Sequence, residues 1–125
     1  MAEIACYFFD TYAFCELFKG NPGYKPYSKD ISIITTALNL MELHYGMLIE
    51  SGKEYADLIY DRLKRFCVEV DDEIIKNANL LKAHHKRRNL SYVDCIGYVI
   101  AGSRNIRFLT GDKEFSDMDN VEYVK

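Results

Sequence analysis

Several signatures are missing from this sequence, and each absence narrows its chemistry. No C-x-x-C pair occurs among its four cysteines, Cys6, Cys15, Cys67 and Cys95, so neither a zinc site nor a redox dithiol is expected. Cys6, Cys67 and Cys95 lie in apolar runs and read as small buried hydrophobes. No apolar run is long enough to span a bilayer, and no secretory leader is visible. The expectation is a cytoplasmic protein with reduced thiols and no membrane contact. Positive charge is not in excess. The formal net charge of −3 argues against broad coating of nucleic acid, while leaving room for a local basic patch. Proline is scarce: Pro22 and Pro26 fall in one loop, Gly20–Ser28, with two of the seven glycines.

What is present is apolar and aromatic. Of 125 residues, 49% are hydrophobic, with ten tyrosines and seven phenylalanines. That length fits one domain over residues 1–125, able to bury roughly two-thirds of its unfolded surface without a disulfide or metal. Ile4-Ala5-Cys6-Tyr7-Phe8-Phe9 is an unbroken apolar run and predicts a strand buried on both faces. A helix follows, with Tyr12, Phe14, Leu17 and Phe18 as its apolar residues. A second strand is expected over Ile31–Ile34 and a helix over Ala37–Glu50, with Leu38, Met41, Tyr45 and Leu48 as its buried stripe. A third helix, Lys53–Phe66, carries Tyr55, Leu58, Ile59, Leu63 and Phe66 at helical spacing. Cys67–Val70 reads as a third strand, and Asp71 or Asp72 starts the next helix, which runs to a basic end at Lys82–Arg88. Tyr92–Ser103 is a deeply buried helix, Ile106–Leu109 a fourth strand and Val121–Val124 a fifth. Strands alternating with helices predict an α/β fold around a parallel sheet.

Four carboxylates stand where solubility does not explain them. Asp10 ends the first strand, Glu42 sits within Leu40-Met41-Glu42-Leu43, Asp94 opens the buried helix, and Asp112 follows the fourth strand. Each has a bland reading: Asp10 as a helix N-cap, Asp94 in a capping box with Ser91, Asp112 in a turn, and Glu42 paired with a cation of a neighbouring helix. Taken singly, these readings stand as well as a functional one. The combination shifts the balance, because ligands in open α/β sheets bind outside the carboxyl ends of strands. An acidic set with no His or Cys is a hard oxygen site suited to Mg²⁺ or Mn²⁺. Clustered carboxylates are also expected to hold a proton well above the usual range when no cation is bound.

These residues resemble the PIN-domain family of ribonucleases, in particular the small VapC-type toxins of toxin–antitoxin pairs. The resemblance rests on Phe9-Asp10-Thr11, on Glu42 within Asn39–Leu43, on Asp94 within Leu90–Asp94, and on Leu109-Thr110-Gly111-Asp112-Lys113-Glu114-Phe115, close to the family's frequent T-x-D-x-x-F pattern. It spans Ile4 to Val124. It implies a three-layer α/β/α fold with a central, mostly parallel sheet, and a metal-dependent endoribonuclease leaving 5′-phosphate and 3′-hydroxyl ends. Asp10, Glu42, Asp94 and Asp112 are then the metal-binding and catalytic acids for Mg²⁺ or Mn²⁺, Thr110 a hydroxyl beside them, and Asp117 a further acid at the rim. The implied partners are an RNA substrate, a cognate antitoxin and a second copy in a homodimer. One departure is Tyr12, where the family often has Ser or Asn.

Lys86, Arg87 and Arg88, close before Asp94, are candidates to hold RNA phosphates; the competing reading is cations offsetting a helix dipole. Tyr24 and Tyr27 read as residues packing their loop down rather than as a stacking platform. Two other functions were weighed against the nuclease. A phosphoacceptor receiver domain, using Asp71, lacks the paired acids at the first strand and a Lys at the last. A non-catalytic PIN-like protein that binds RNA or a partner is the other. A D-x-D phosphatase is excluded by Tyr12.

Overall fold

The computed structural model describes residues 4–125. The first apolar run forms strand β1, Cys6–Phe9. It lies at the centre of a four-stranded sheet with β2 (Ser32–Ile34), β3 (Arg107–Thr110) and β4 (Val121–Tyr123), in the order β2-β1-β3-β4. Every pairing is parallel, with Phe8 opposite Ile34 on one side and Phe108 on the other. Parallel strands covered on both faces need apolar side chains on both. Phe8 and Phe108 enter one core, while Phe9 and Leu109 enter the other.

Five helices supply the outer layers: α1 (Thr11–Lys19), α2 (Ala37–Ser51), α3 (Lys53–Leu63), α4 (Asp72–His84) and α5 (Tyr92–Ser103). The Phe9 core takes Ala13 and Phe14 from α1, Leu40, Leu43 and Met47 from α2, and Ala56, Ile59 and Leu63 from α3. The Phe8 core takes Ala78 from α4 and Cys95, Ile96, Ile100 and Ala101 from α5. The result is the expected three-layer α/β/α fold. α5 lies close on the sheet because Gly97 leaves room: a Cβ there would come within 2.5 Å of the Phe8 ring and 3.0 Å of Phe108. Among the described residues, no helix is long and apolar enough to cross a membrane.

Several expectations are corrected. Cys67–Val70 is not a strand; it makes one bridge, Cys67 to Thr35. It has no longer neighbour, because the chain beside it turns into α2 at Thr36, the N-cap of that helix. The third helix stops at Leu63 and tightens into a 3₁₀ turn over Lys64–Phe66. α4 ends at His84, so Lys86, Arg87 and Arg88 lie in the turn beyond it. Of the expected α2 stripe only Leu38 packs inward, against the Phe8 core. Asn39, Leu40, Leu43 and Met47 face inward, whereas Met41 (58% exposed), Tyr45 (66%) and Leu48 face solvent beside Ile49 (71%). Tyr12, Phe18, Tyr55 and Leu58 are exposed too. Helices this apolar on several sides carry no unique stripe, so periodicity alone cannot choose the buried face. Tyr24 is buried with its hydroxyl donating to the Val124 carbonyl, and Tyr27 donates to Glu122.

Candidate active site at the carboxyl edge of the sheet

Sheet topology decides where two of the acids go. The chain leaves β1 for β2 on one side, then crosses to β3 on the other. Strand order therefore reverses between β1 and β3, and the crevice at their carboxyl ends is the ligand position of open α/β sheets. Asp10 follows β1 and Asp112 follows β3. Asp94 arrives from below, in the first turn of α5, three residues before Gly97 and so on the same helix face. Glu42 arrives from α2 and accepts a hydrogen bond from the Thr11 hydroxyl at 2.6 Å.

Three of the four local, structural roles are also filled, those of Asp10, Asp94 and Asp112. The Asp10 carboxylate accepts from the Ala13 N–H at 2.7 Å as the α1 N-cap. Asp94 and Ser91 form a reciprocal capping box. Asp112 accepts from the Glu114 N–H at 3.0 Å. Glu42 is bonded to a threonine rather than to a cation. Thus the four acids gather at one edge while each is turned toward its own backbone or hydroxyl donor. Among the described residues, no three Asp, Glu, His or Cys side chains stand close enough to enclose an ion directly. An oxygen-only set of this looseness suits a hydrated Mg²⁺, which keeps several of its waters and uses few direct carboxylates.

Asp10 is the anomalous member. It is 2% exposed, and its carboxyl is pushed up to about 8. Burial is the main cause, opposed by hydrogen bonds from Thr110 and from the Ala13 N–H, and reinforced by the charges of Asp94 and Asp112. The expected direction is therefore found, but desolvation rather than like charge dominates it. Asp94 is raised as well, again chiefly by burial, with Asp112 and Glu42 adding to it. A carboxyl that must be neutral in the bare protein and anionic beside a cation is a feature of functional sites. Thr110 is buried and takes part twice, bonding to Asp10 and accepting from the Asp112 N–H at 3.0 Å.

A polar relay behind Glu42 has no motif of its own. The buried Thr36 hydroxyl donates to the Asn39 side-chain oxygen Oδ1 at 2.6 Å, the Asn39 side-chain Nδ2 donates to the Thr11 hydroxyl at 3.3 Å, and that hydroxyl donates to Glu42. Its only sequence signal is spacing: Thr36, Asn39 and Glu42 recur every third residue, one polar line along an apolar helix. Thr35 is buried nearby and donates to the Phe9 carbonyl.

The outer candidates divide. Arg88 is already engaged: its guanidinium bonds both carboxylate oxygens of Asp117, at 2.7 and 3.0 Å, and the Glu114 carbonyl. That pair ties the segment before α5 to the turn after Asp112, and it occupies Asp117 as well. Arg88 holds the Asp117 carboxyl below its ordinary range. Lys86 and Arg87 are exposed. A surface hollow of about 460 Å³ between α1, α2 and α3 contains none of the four acids. Glu42 is exposed, Asp94 and Asp112 are half-buried and Asp10 is buried, so the set runs from the surface inward.

Comparison with known proteins gives one family and one fold. Residues 7–121 match the PIN domain. The Mycobacterium tuberculosis VapC20, a Sarcin-Ricin loop cleaving toxin, superposes with a TM-score of 0.77 at 21% identity, over 95% of this chain and 99% of that one. A toxin–antitoxin complex from Klebsiella pneumoniae gives 0.73 at 18% identity, over 92% and 94%. VapBC-1 from nontypeable Haemophilus influenzae gives 0.72 at 18% identity, over 94% and 96%. No curated protein matches the chain.

Proposed function

Since the chain belongs to the PIN-domain family, we propose that it is a metal-dependent endoribonuclease, the toxin of a toxin–antitoxin pair. The observation that carries this reading is the convergence of Asp10, Asp94, Asp112 and Glu42 on the β1–β3 crevice, with the innermost carboxyl pushed up to about 8. The oxygen-only donor set fits Mg²⁺ or Mn²⁺ and gives no soft ligand for zinc. When bound, such an ion supplies charge stabilisation and a more acidic water at a phosphodiester. The chain's own residues do the rest. Asp10, Glu42, Asp94 and Asp112 would hold such an ion, Asp10 in its carboxylate form, and Thr110 steadies Asp10 and Asp112 together. The Thr36–Asn39–Thr11 relay fixes Glu42. Lys86 and Arg87 remain as exposed cations for flanking phosphates.

The protein partners of the proposal find support on the face of α2 turned away from the core, beside Glu42. Met41, Tyr45, Leu48 and Ile49 form an outward apolar stripe of the kind that marks a protein interface. We assign it to the antitoxin or to a second copy in a homodimer. The receiver alternative loses its footing: Asp71 caps α4 by accepting from the Ile74 N–H, and no strand precedes it.

The test is cleavage of a mixed cellular RNA pool with Mg²⁺, with Mn²⁺ and with EDTA, beside an Asp94→Asn variant. Asparagine keeps an oxygen for the capping box while removing the charge, so the variant is expected to fold and to be inactive. Discrete metal-dependent cuts that vanish in the variant establish the nuclease. Partner-free, metal-loaded protein that leaves every RNA intact points instead to the non-catalytic RNA-binding reading.

A further inference from the structure

Tyr12 stands two residues after Asp10 and is 38% exposed. Its position is fixed from below by Gly111, the residue between Thr110 and Asp112. A Cβ on Gly111 would collide with the Tyr12 ring and would come within 2.5 Å of the Val124 carbonyl. The ring therefore lies directly against main chain that joins two components of the acid site. Its hydroxyl is within electrostatic reach of Glu16, Tyr123, Lys19 and Asp10. Tyr123, at the end of β4, is itself 37% exposed. Two aromatic rings thus share the rim on the β4 side, away from Glu42, which is held on the α2 side by Thr11.

The mechanism uses neither ring. Tyr12 makes no side-chain hydrogen bond that would explain its retention at an exposed edge among the bonds of this structure's described residues. A phenol supported by glycine backbone is rigid, because the surface beneath it removes rotamer freedom before any ligand arrives. A pre-set, half-open aromatic face is the geometry on which unpaired bases stack, whatever their sequence.

We infer that Tyr12 is a specificity-determining residue, a stacking platform for the RNA base beside the scissile phosphate, with Tyr123 flanking it. The inference rests on the nuclease reading for the word scissile, but the stacking itself is a matter of binding. It makes the β4 side of the crevice the side on which a base is gripped. Duplex RNA, whose bases are already stacked on each other, offers no free face to Tyr12.

The chain contains no tryptophan, so Tyr12→Trp introduces a single indole reporter at the platform. Leu80→Trp, exposed on α4, which carries none of the four acids, places the same reporter outside the proposed platform. Both are made in the Asp94→Asn background with millimolar Mg²⁺, so binding is read without cleavage. A short unpaired oligoribonucleotide of mixed sequence is expected to quench the emission of the Tyr12→Trp protein saturably. The same strand annealed to its complement should quench it far less, and the Leu80→Trp protein should respond to neither. Equal responses at the two positions, or no response at the Tyr12 position, overturn the proposal. In the active protein, Tyr12→Phe should keep KM, and Tyr12→Leu should raise KM roughly tenfold with kcat little changed. A loss confined to kcat, or an equal loss in both variants, also overturns it. If the oligonucleotide quenches but no variant or wild-type protein ever cleaves, the stacking platform stands and the nuclease reading alone fails.

Discussion

At the scale of the residue, Asp10 carries a pH dependence with a definite sign. Its carboxyl titrates near 8 when folded and near 3.8 when unfolded. Between those values the folded state holds a proton that the unfolded chain has lost. Stability of the metal-free protein is therefore greatest below the unfolded value and is lost as pH rises through 8. One such group contributes a slope of at most about 1.4 kcal/mol per pH unit. Urea unfolding in EDTA should accordingly show wild-type stability falling between about pH 5 and 8, a fall that Asp10→Asn flattens. Millimolar Mg²⁺ at the upper end should restore the wild type and leave the variant nearly unmoved. Identical slopes in the two proteins would mean that Asp10 is not the titrating group. None of this was legible beyond its direction. Four misplaced acids can be read from sequence, but which one is desolvated depends on how the chain packs around the end of β1, since Asp112 follows the equally internal β3 and stays half-buried.

At the scale of the element, α2 teaches most. Its boundaries were legible to within a residue, since Thr36 is a good cap and Ser51-Gly52 a good stop. Its orientation was not, because Met41, Tyr45, Leu48 and Ile49 are as apolar as the residues that face inward. The inward line includes Asn39, a polar residue that a hydrophobic pattern assigns to solvent. Asn39→Ala leaves the buried Thr36 hydroxyl its N-cap bond but removes the acceptor of its proton, and it frees Thr11, so it should cost about 1–3 kcal/mol in chemical denaturation. It should also lower cleavage by releasing Glu42. Full activity with full stability would show the relay to be incidental. The extended segment over Cys67–Val70 carries a related lesson. Val68 and Val70 do pack against the Phe8 core, so the segment's apolar side chains are used. What was missing was a partner strand, since β2 has already given way to α2 beyond Thr35.

At the scale of the whole molecule, two surfaces of different character meet at α2, the helix that carries Glu42. The sheet edge gathers acids, while the outside of α2 gathers exposed apolar side chains. A Tyr45→Lys and Ile49→Lys double variant should leave the melting temperature within a few degrees of wild type, because both side chains are already in water. It should weaken association with the antitoxin or between copies, read by sedimentation or by co-purification. Unchanged association would move the interface elsewhere. The layered fold itself was the most legible level: alternating strands and helices, and the fully apolar β1 and β3 runs, suffice to call for a covered parallel sheet. The acids' common edge then follows from strand order, which no local pattern contains.

That strand order also sets when the site comes into being. Phe9 pairs with Leu109, about a hundred positions further along the chain. A nascent chain emerging from the ribosome therefore carries Asp10 and Glu42 long before the strand that completes their crevice has been made. On the nuclease proposal, the chain would have no assembled centre with which to attack RNA through most of its own translation, the transcript that encodes it included. Parallel pairing over such separations is also slow to form, which lengthens that harmless interval after the last strand is released.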